Sequence, residues 1–172
     1  MHKLIAALVL ASTIASPAFC QKASDDQADS HKDRELKACG PREKEVKYVA
    51  DTDKKTHPLG TETTGTALIY VIRSTMYGNK VQTKLAVDGE WKGVNRGNNY
   101  FFFNLSPGEH YFCSQSENRS IAVIKIEAGK TYYLDQSIHM GAIKARNDLN
   151  VMDDDQGRMR LEKAHPSTWE VR

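Results

Sequence analysis

Glu109-His110 is the one place in this chain where a carboxylate directly precedes a histidine, so it is the first position to test for acid–base chemistry. His57 and His139 are the further histidines that could complete a hydrolytic site. Neighbouring residues on a strand point to opposite faces, so Glu109 and His110 do not readily share a reaction centre. Their expected role is as solvated polar positions beside a turn. A metal held by His57, His110 and His139 would need three distant segments to converge. The chain has no Cys-x-x-Cys or His-x-x-x-His spacing, so no metal and no cofactor is expected. Asp153-Asp-Asp155 followed by Gly157 superficially resembles a calcium loop, but the twelfth place from Asp153 is Ala164 where that loop needs glutamate. A helix cap is the better reading. Aromatic residues cluster at Tyr100–Phe103, Tyr111-Phe112 and Tyr132-Tyr133. Such residues most often fill a core. Trp91, Tyr100 and Tyr111, whose polar edges tolerate water, together with His110 form the candidate binding surface. Asn118-Arg-Ser120 fits a glycosylation sequon, which has meaning only in a eukaryotic secretory route.

The three cysteines, Cys20, Cys39 and Cys113, depend on compartment for their chemistry. Met1-His-Lys3 is a short positive stretch, Leu4 to Ile14 is an apolar run without a charge, and Ala15-Ser-Pro-Ala18 offers small residues for cleavage. This is the pattern of a secretory signal peptide, too short to span a bilayer comfortably. Residues 1–18 are therefore expected to direct export to a periplasm or the exterior, and the short run with a single early lysine suits a bacterial signal. Acylation of Cys20 would anchor the protein, each buried methylene adding about 0.8 kcal/mol. Phe19 and Pro17 fit that modification poorly, so lipidation of Cys20 is the lesser alternative. In an oxidising compartment two cysteines are expected to pair. The expected disulfide is Cys39–Cys113, because Cys39 lies just before the folded region and Cys113 in a strand. Closing a loop of about 75 residues stabilises by up to roughly 4.5 kcal/mol on the loop-entropy model. Cys113 acting as a nucleophile would need exposure and a nearby base.

These residues have to be positioned by something, and the stretch from Gly65 to Leu134 shows what. Short apolar segments alternate with turns: Ala67–Ile72, Val81–Val87, Tyr100–Leu105, His110–Cys113, Ile121–Ile126 and Thr131–Leu134. Asp88-Gly89 is a two-residue hairpin signal, and Ser106-Pro-Gly108 and Glu127-Ala-Gly129 are further breaks. The spacing predicts an all-β fold, a small antiparallel β-sandwich. Ala67–Ile72 and Ile121–Ile124 are apolar on both faces and are expected to be central strands. Tyr100–Phe103 is aromatic on both faces and should cross the core. Asp153–Asp155 is expected to cap a short C-terminal helix carrying Met159, Leu161 and Ala164, ended by Pro166, with Trp169 folding back onto the sandwich. Residues 19–38 are polar and charged and are expected to be a flexible spacer. Glu45–Val49 alternates weakly, as a short edge strand does. Residues 39–172 then make a single domain, about the size that supports its own core.

The 24 Lys and Arg are interspersed with 22 Asp and Glu, leaving a net charge of only +2. A nucleic-acid partner needs a clustered basic face, and none is written here. Membrane contact is expected only if Cys20 is lipidated.

Gly65–Arg73, Val87-Asp-Gly89, Tyr100, Ser106–His110 and Glu127–Tyr133 follow one another in an order that resembles the bacterial domain of unknown function 2846 family, over about Gly65 to Lys163. The resemblance implies an exported protein, often a lipoprotein, with a small β-sandwich and no assigned enzymatic activity. It transfers no catalytic residue. The expected function is a non-catalytic envelope domain that binds another envelope protein or a cell-wall component. The alternatives are a small periplasmic hydrolase built on a carboxylate and histidine, or a structural lipoprotein anchored at Cys20.

Overall fold

The computed structural model describes residues 30–74, 78–140 and 145–172. The expected signal peptide, Cys20 and the first part of the expected spacer lie outside these residues. Ala67–Arg73 forms β2, buried at every position, as a segment without polar alternation must be. Around it the described strands are β1 (Tyr48–Thr52), β3 (Thr83–Val87), β4 (Glu90–Asn95), β5 (Asn99–Leu105), β6 (Gly108–Gln115), β7 (Arg119–Ile126), β8 (Thr131–Met140), β9 (Ala145–Met152) and β10 (His165–Val171). Among the described residues two helices accompany them, α1 (residues 30–39) and α2 (Asp154–Lys163), with a 3₁₀ turn at Arg42–Lys44.

The strands make two sheets, one of order β1-β10-β5-β2-β8-β9 and one of order β4-β3-β6-β7. Most pairs are antiparallel, but β2 with β8 and β10 with β5 are parallel, which makes the larger sheet mixed. Between the sheets lie Ile69, Val71, Leu85, Val87, Phe101, Phe112, Ile126 and Leu134. Alternate residues of the same strands serve a second cluster on the outside of the larger sheet, where Leu68, Tyr70, Ile72, Tyr100 and Tyr133 meet Leu161 and Ala164. A third, smaller cluster on the outside of the other sheet joins Ala86 and Cys113 to Ala38 and Cys39 of α1. The described residues thus make four layers, helix on sheet on sheet on helix. Tyr100–Phe103 does cross the core: Phe101 belongs to the inner cluster, and Tyr100 and Phe102 to the outer one.

Three expectations are corrected. Residues 30–38 are not a flexible spacer but most of α1. Most of its polar residues face water while Ala38 and Cys39 are fully buried, so two small residues, a disulfide and the Glu35–Arg119 pair hold a helix whose composition alone would not. β7 is an edge strand of the smaller sheet, not a central one. Its second apolar row exists because Ile121 packs beside the α1 cluster, while Val123 remains 43% exposed. The edge strand expected at Glu45–Val49 runs instead from Tyr48 to Thr52, pairing with β10. Trp169 folds back as part of that strand, with its ring 5.4 Å from that of Phe101. The C-terminal helix forms as expected, with the Asp153 side chain accepting from the Gln156 amide at 2.8 Å.

Candidate functional site

Asp88 and Gly89 both have positive φ, 51° and 81°, the conformation of a type I′ hairpin turn. This turn abuts the C-terminal end of α1. The Gly89 amide donates to the Ala38 carbonyl at 3.1 Å, and a Cβ on Gly40, itself at φ 69°, would fall 2.6 Å from the Gly89 oxygen. Only glycine permits that approach. Cys39 is bridged to Cys113 of β6 in the same region.

From the turn, the Asp88 carboxylate reaches across to β6. One oxygen accepts the Tyr111 amide at 2.9 Å and the other lies 2.6 Å from His110 Nδ1. The other ring nitrogen of His110, Nε2, contacts the Ser106 carbonyl at 2.8 Å. A general base must direct a free nitrogen at its substrate, and both nitrogens of His110 are engaged by the protein. Glu109 accepts the Tyr111 hydroxyl at 3.3 Å, while the Lys37 ammonium sits 5.0 Å from the centre of the Tyr111 ring. The result is a shallow groove of about 800 Å³, with Tyr111 and His110 on one side and Leu36, Lys37, Pro41 and Lys44 on the other. Leu36 is 57% exposed on its rim.

Of the four residues expected to form a binding surface, His110 and Tyr111 line this groove. Trp91 is half-buried on the same sheet face, packed on the α1 cluster with Lys84 Nζ 5.1 Å from its ring centre, and its buried Nε1 has no partner among the described residues. Tyr100 does not belong with them. It is 1% exposed under the opposite face, where its hydroxyl donates to the Pro58 carbonyl at 2.7 Å and burial, with smaller contributions from Tyr70 and Asp53, pushes its pKa up to about 12.

The other histidines lie elsewhere. His57 packs against the Tyr100 ring, 5.1 Å between centroids. His139 on β8 touches Ser137 Oγ at 3.2 Å and Asp148 at 3.3 Å, a serine–histidine–aspartate grouping that inspection of the sequence missed because Ser137 and Asp148 are register partners eleven residues apart. Both contacts fall on the same nitrogen, Nε2. A working triad places its carboxylate on the nitrogen opposite the nucleophile. Among the described residues no three His, Cys, Asp or Glu side chains group to hold a metal, and no helix is long and apolar enough to cross a membrane. Cys113 is wholly buried and bridged. The Asn118 side chain is occupied, exchanging hydrogen bonds with the Asn147 backbone at 3.0 and 2.7 Å.

The fold and this groove define a class: a two-sheet β-sandwich faced on each side by a helix and stapled to one of them by a disulfide. Within that class the chain belongs to the family described as protein of unknown function DUF2846, whose profile matches residues 63–148, half of the chain. The match runs from just before β2 into β9, ending short of Lys163. No curated protein and no solved structure matches the chain.

Proposed function

We propose that this chain is an exported, non-catalytic binding module of the bacterial envelope that contacts its partner through the groove over Tyr111. The observation that carries this reading is the state of Asp88 and His110. Every oxygen and nitrogen that could do acid–base work there is committed to shaping the turn, while Leu36, Lys37 and Lys44 are left at the surface to meet a ligand. The apolar run at Leu4–Ile14 and the pairing of two cysteines support export. The partner is an envelope protein or a cell-wall component, and membrane contact follows only if Cys20 is lipidated. A hydrolase reading finds its nearest support at Ser137, His139 and Asp148, where the geometry places nucleophile and carboxylate on one nitrogen.

A photo-crosslinking residue at Lys44, with Thr64 in the loop before β2 as a control, tests the proposal in the intact envelope. Adducts of defined mass from position 44 alone, lost in Tyr111→Ala, are expected. Equal adducts from both positions, or none from 44, would refute the groove. Loss of a hydrolytic activity in His139→Ala with the fold intact would favour the enzyme instead.

A further inference from the structure

At the other end of β4 from the groove, the β4–β5 turn meets the end of β1 and the start of β10 around a polar cleft of about 350 Å³. That volume falls in the ~300–1,000 Å³ range of small-molecule sites. We propose that this cleft binds an oxyanion, a phosphate or sulfate group, through Lys54, Arg96 and His165.

The walls are built from hydrogen bonds that cross between elements. Arg96 Nη1 donates to the Ala50 carbonyl of β1 at 3.2 Å, which lays the guanidinium along the cleft. Asn98, in the left-handed conformation at φ 57°, accepts the His165 amide at 2.9 Å and donates from its side chain to the Lys163 carbonyl at 3.0 Å. The turn is thereby fixed to the junction of α2 and β10. Within this frame the cationic groups are under-used. Lys54 and the His165 ring have no side-chain partner among the described residues. Beyond the Ala50 bond, the ion partner of Arg96 among the described residues is Asp51, 3.9 Å away on a side chain that is 84% exposed. A pair that open to water holds Arg96 weakly.

The chemistry selects the ligand. Lys54 and Arg96 against Asp51 leave the cleft net positive. An arginine fork matches two oxygens of a tetrahedral or planar oxyanion, and a lysine adds a point charge. A metal cation would meet two like charges and one solvated carboxylate. The cleft also lies among the loops at one end of a sandwich, where a rigid sheet pair positions variable side chains for binding.

The test is a ¹H–¹⁵N NMR titration of the disulfide-intact protein with inorganic phosphate, at ionic strength held constant with sodium chloride. Saturable shifts are expected at Gly97, Asn98 and His165. They should weaken about tenfold in Lys54→Gln, the loss of one charge-assisted hydrogen bond. Lys54 is exposed and makes no side-chain hydrogen bond or ion pair among the described residues, so this variant is expected to keep the fold. Lys55→Gln, one residue along and outside the cleft, should bind as the parent does. Non-saturating shifts, or equal losses in both variants, would show general charge screening and overturn the proposal. Co-sedimentation with phosphatidylglycerol vesicles then distinguishes the sources. Binding that Lys54→Gln removes points to a lipid headgroup, and saturation by phosphate without vesicle binding points to a free oxyanion; each supports the site.

Discussion

Gly157 lies inside α2, where a glycine normally costs about 1 kcal/mol relative to alanine. The position explains the choice. A Cβ there would fall 2.1 Å from Tyr133 Cγ and 2.5 Å from Tyr133 Cβ, atoms at the root of a side chain that cannot swing away. Tyr133 is itself stacked on Tyr70, 5.5 Å between ring centres and 9° from parallel. Gly157→Ala therefore gains helix propensity and loses more to overpacking, for a net destabilisation of about 1–2 kcal/mol. Thermal unfolding checks this, and an unchanged or raised midpoint would contradict it. The same comparison shows which residues a sequence can reveal. Asp153 was legible as a cap because its chemistry acts three residues away. Gln136 was not, because its role is long-range: wholly buried, it accepts from Asn95 at 3.0 Å and donates to Ser114 at 3.0 Å across the two sheets. His110 and Tyr111 were legible as surface candidates beside a turn. Tyr100 was misplaced because a strand that is aromatic on both faces does not say which face a loop will cover.

Residues 30–45 show how an element with little intrinsic stability is held. α1 buries only Ala38 and Cys39, too little to fix a short helix by burial alone. The disulfide does part of the work, and its two ends are 74 residues apart. Replacing both cysteines by serine is expected to cost up to about 4.5 kcal/mol on the loop-entropy model. Amides of residues 35–39 should lose their hydrogen-exchange protection first, and loss spread evenly over β2 and β8 would argue against a local clamp. Charge does the rest. Arg119 bonds Glu35 at 2.6 Å and approaches Glu45 at 3.7 Å, while Glu45 also accepts from Gln115 at 2.8 Å and from Lys84. Burial alone would raise the Glu45 pKa, but the hydrogen bonds from Lys84 and Gln115 and the charges of Lys84 and Arg119 outweigh it and hold the carboxyl below its usual value of 4.5. A folded-state pKa below the unfolded one adds stability above the unfolded pKa, and this is lost as pH falls through the folded value. Glu45→Gln should thus be less stable than the parent at pH 7, by a margin that is smaller at pH 3. A urea-midpoint difference that is the same at both pH values would exclude this linkage. None of this clamp could be read from residues 19–38, because its partners lie on β3, β6 and β7, far along the chain.

The two sheets are closed at one side within the family match and at the other outside it. At the first, Asn118 of the β6–β7 turn joins Asn147 of β9 across the sheets, within residues 63–148. At the other, β10 sits between β1 and β5, and the Ser167 hydroxyl donates to the Val94 carbonyl of the smaller sheet at 2.6 Å. Trp169 covers Phe101 there and presses on Gly93, where a Cβ would lie 2.9 Å from the indole. A chain reduced to residues 63–148 would keep β2 to β8 and the first half of β9. It would lose β1, β10, both helices and Cys39, and so the cover over Tyr70, Tyr133 and Ala86. Small domains already bury a smaller share of their surface than large ones, and this fragment would face water with apolar residues on the outside of each sheet. It is expected not to fold as a unit: its amide spectrum should lack the dispersion of the intact protein, and its thermal transition should be broad or absent. A cooperative transition in the fragment, with dispersed signals from β2 and β8, would instead mean that the two-sheet core stands alone. The helices and β10 would then be additions to it rather than part of what makes it stable.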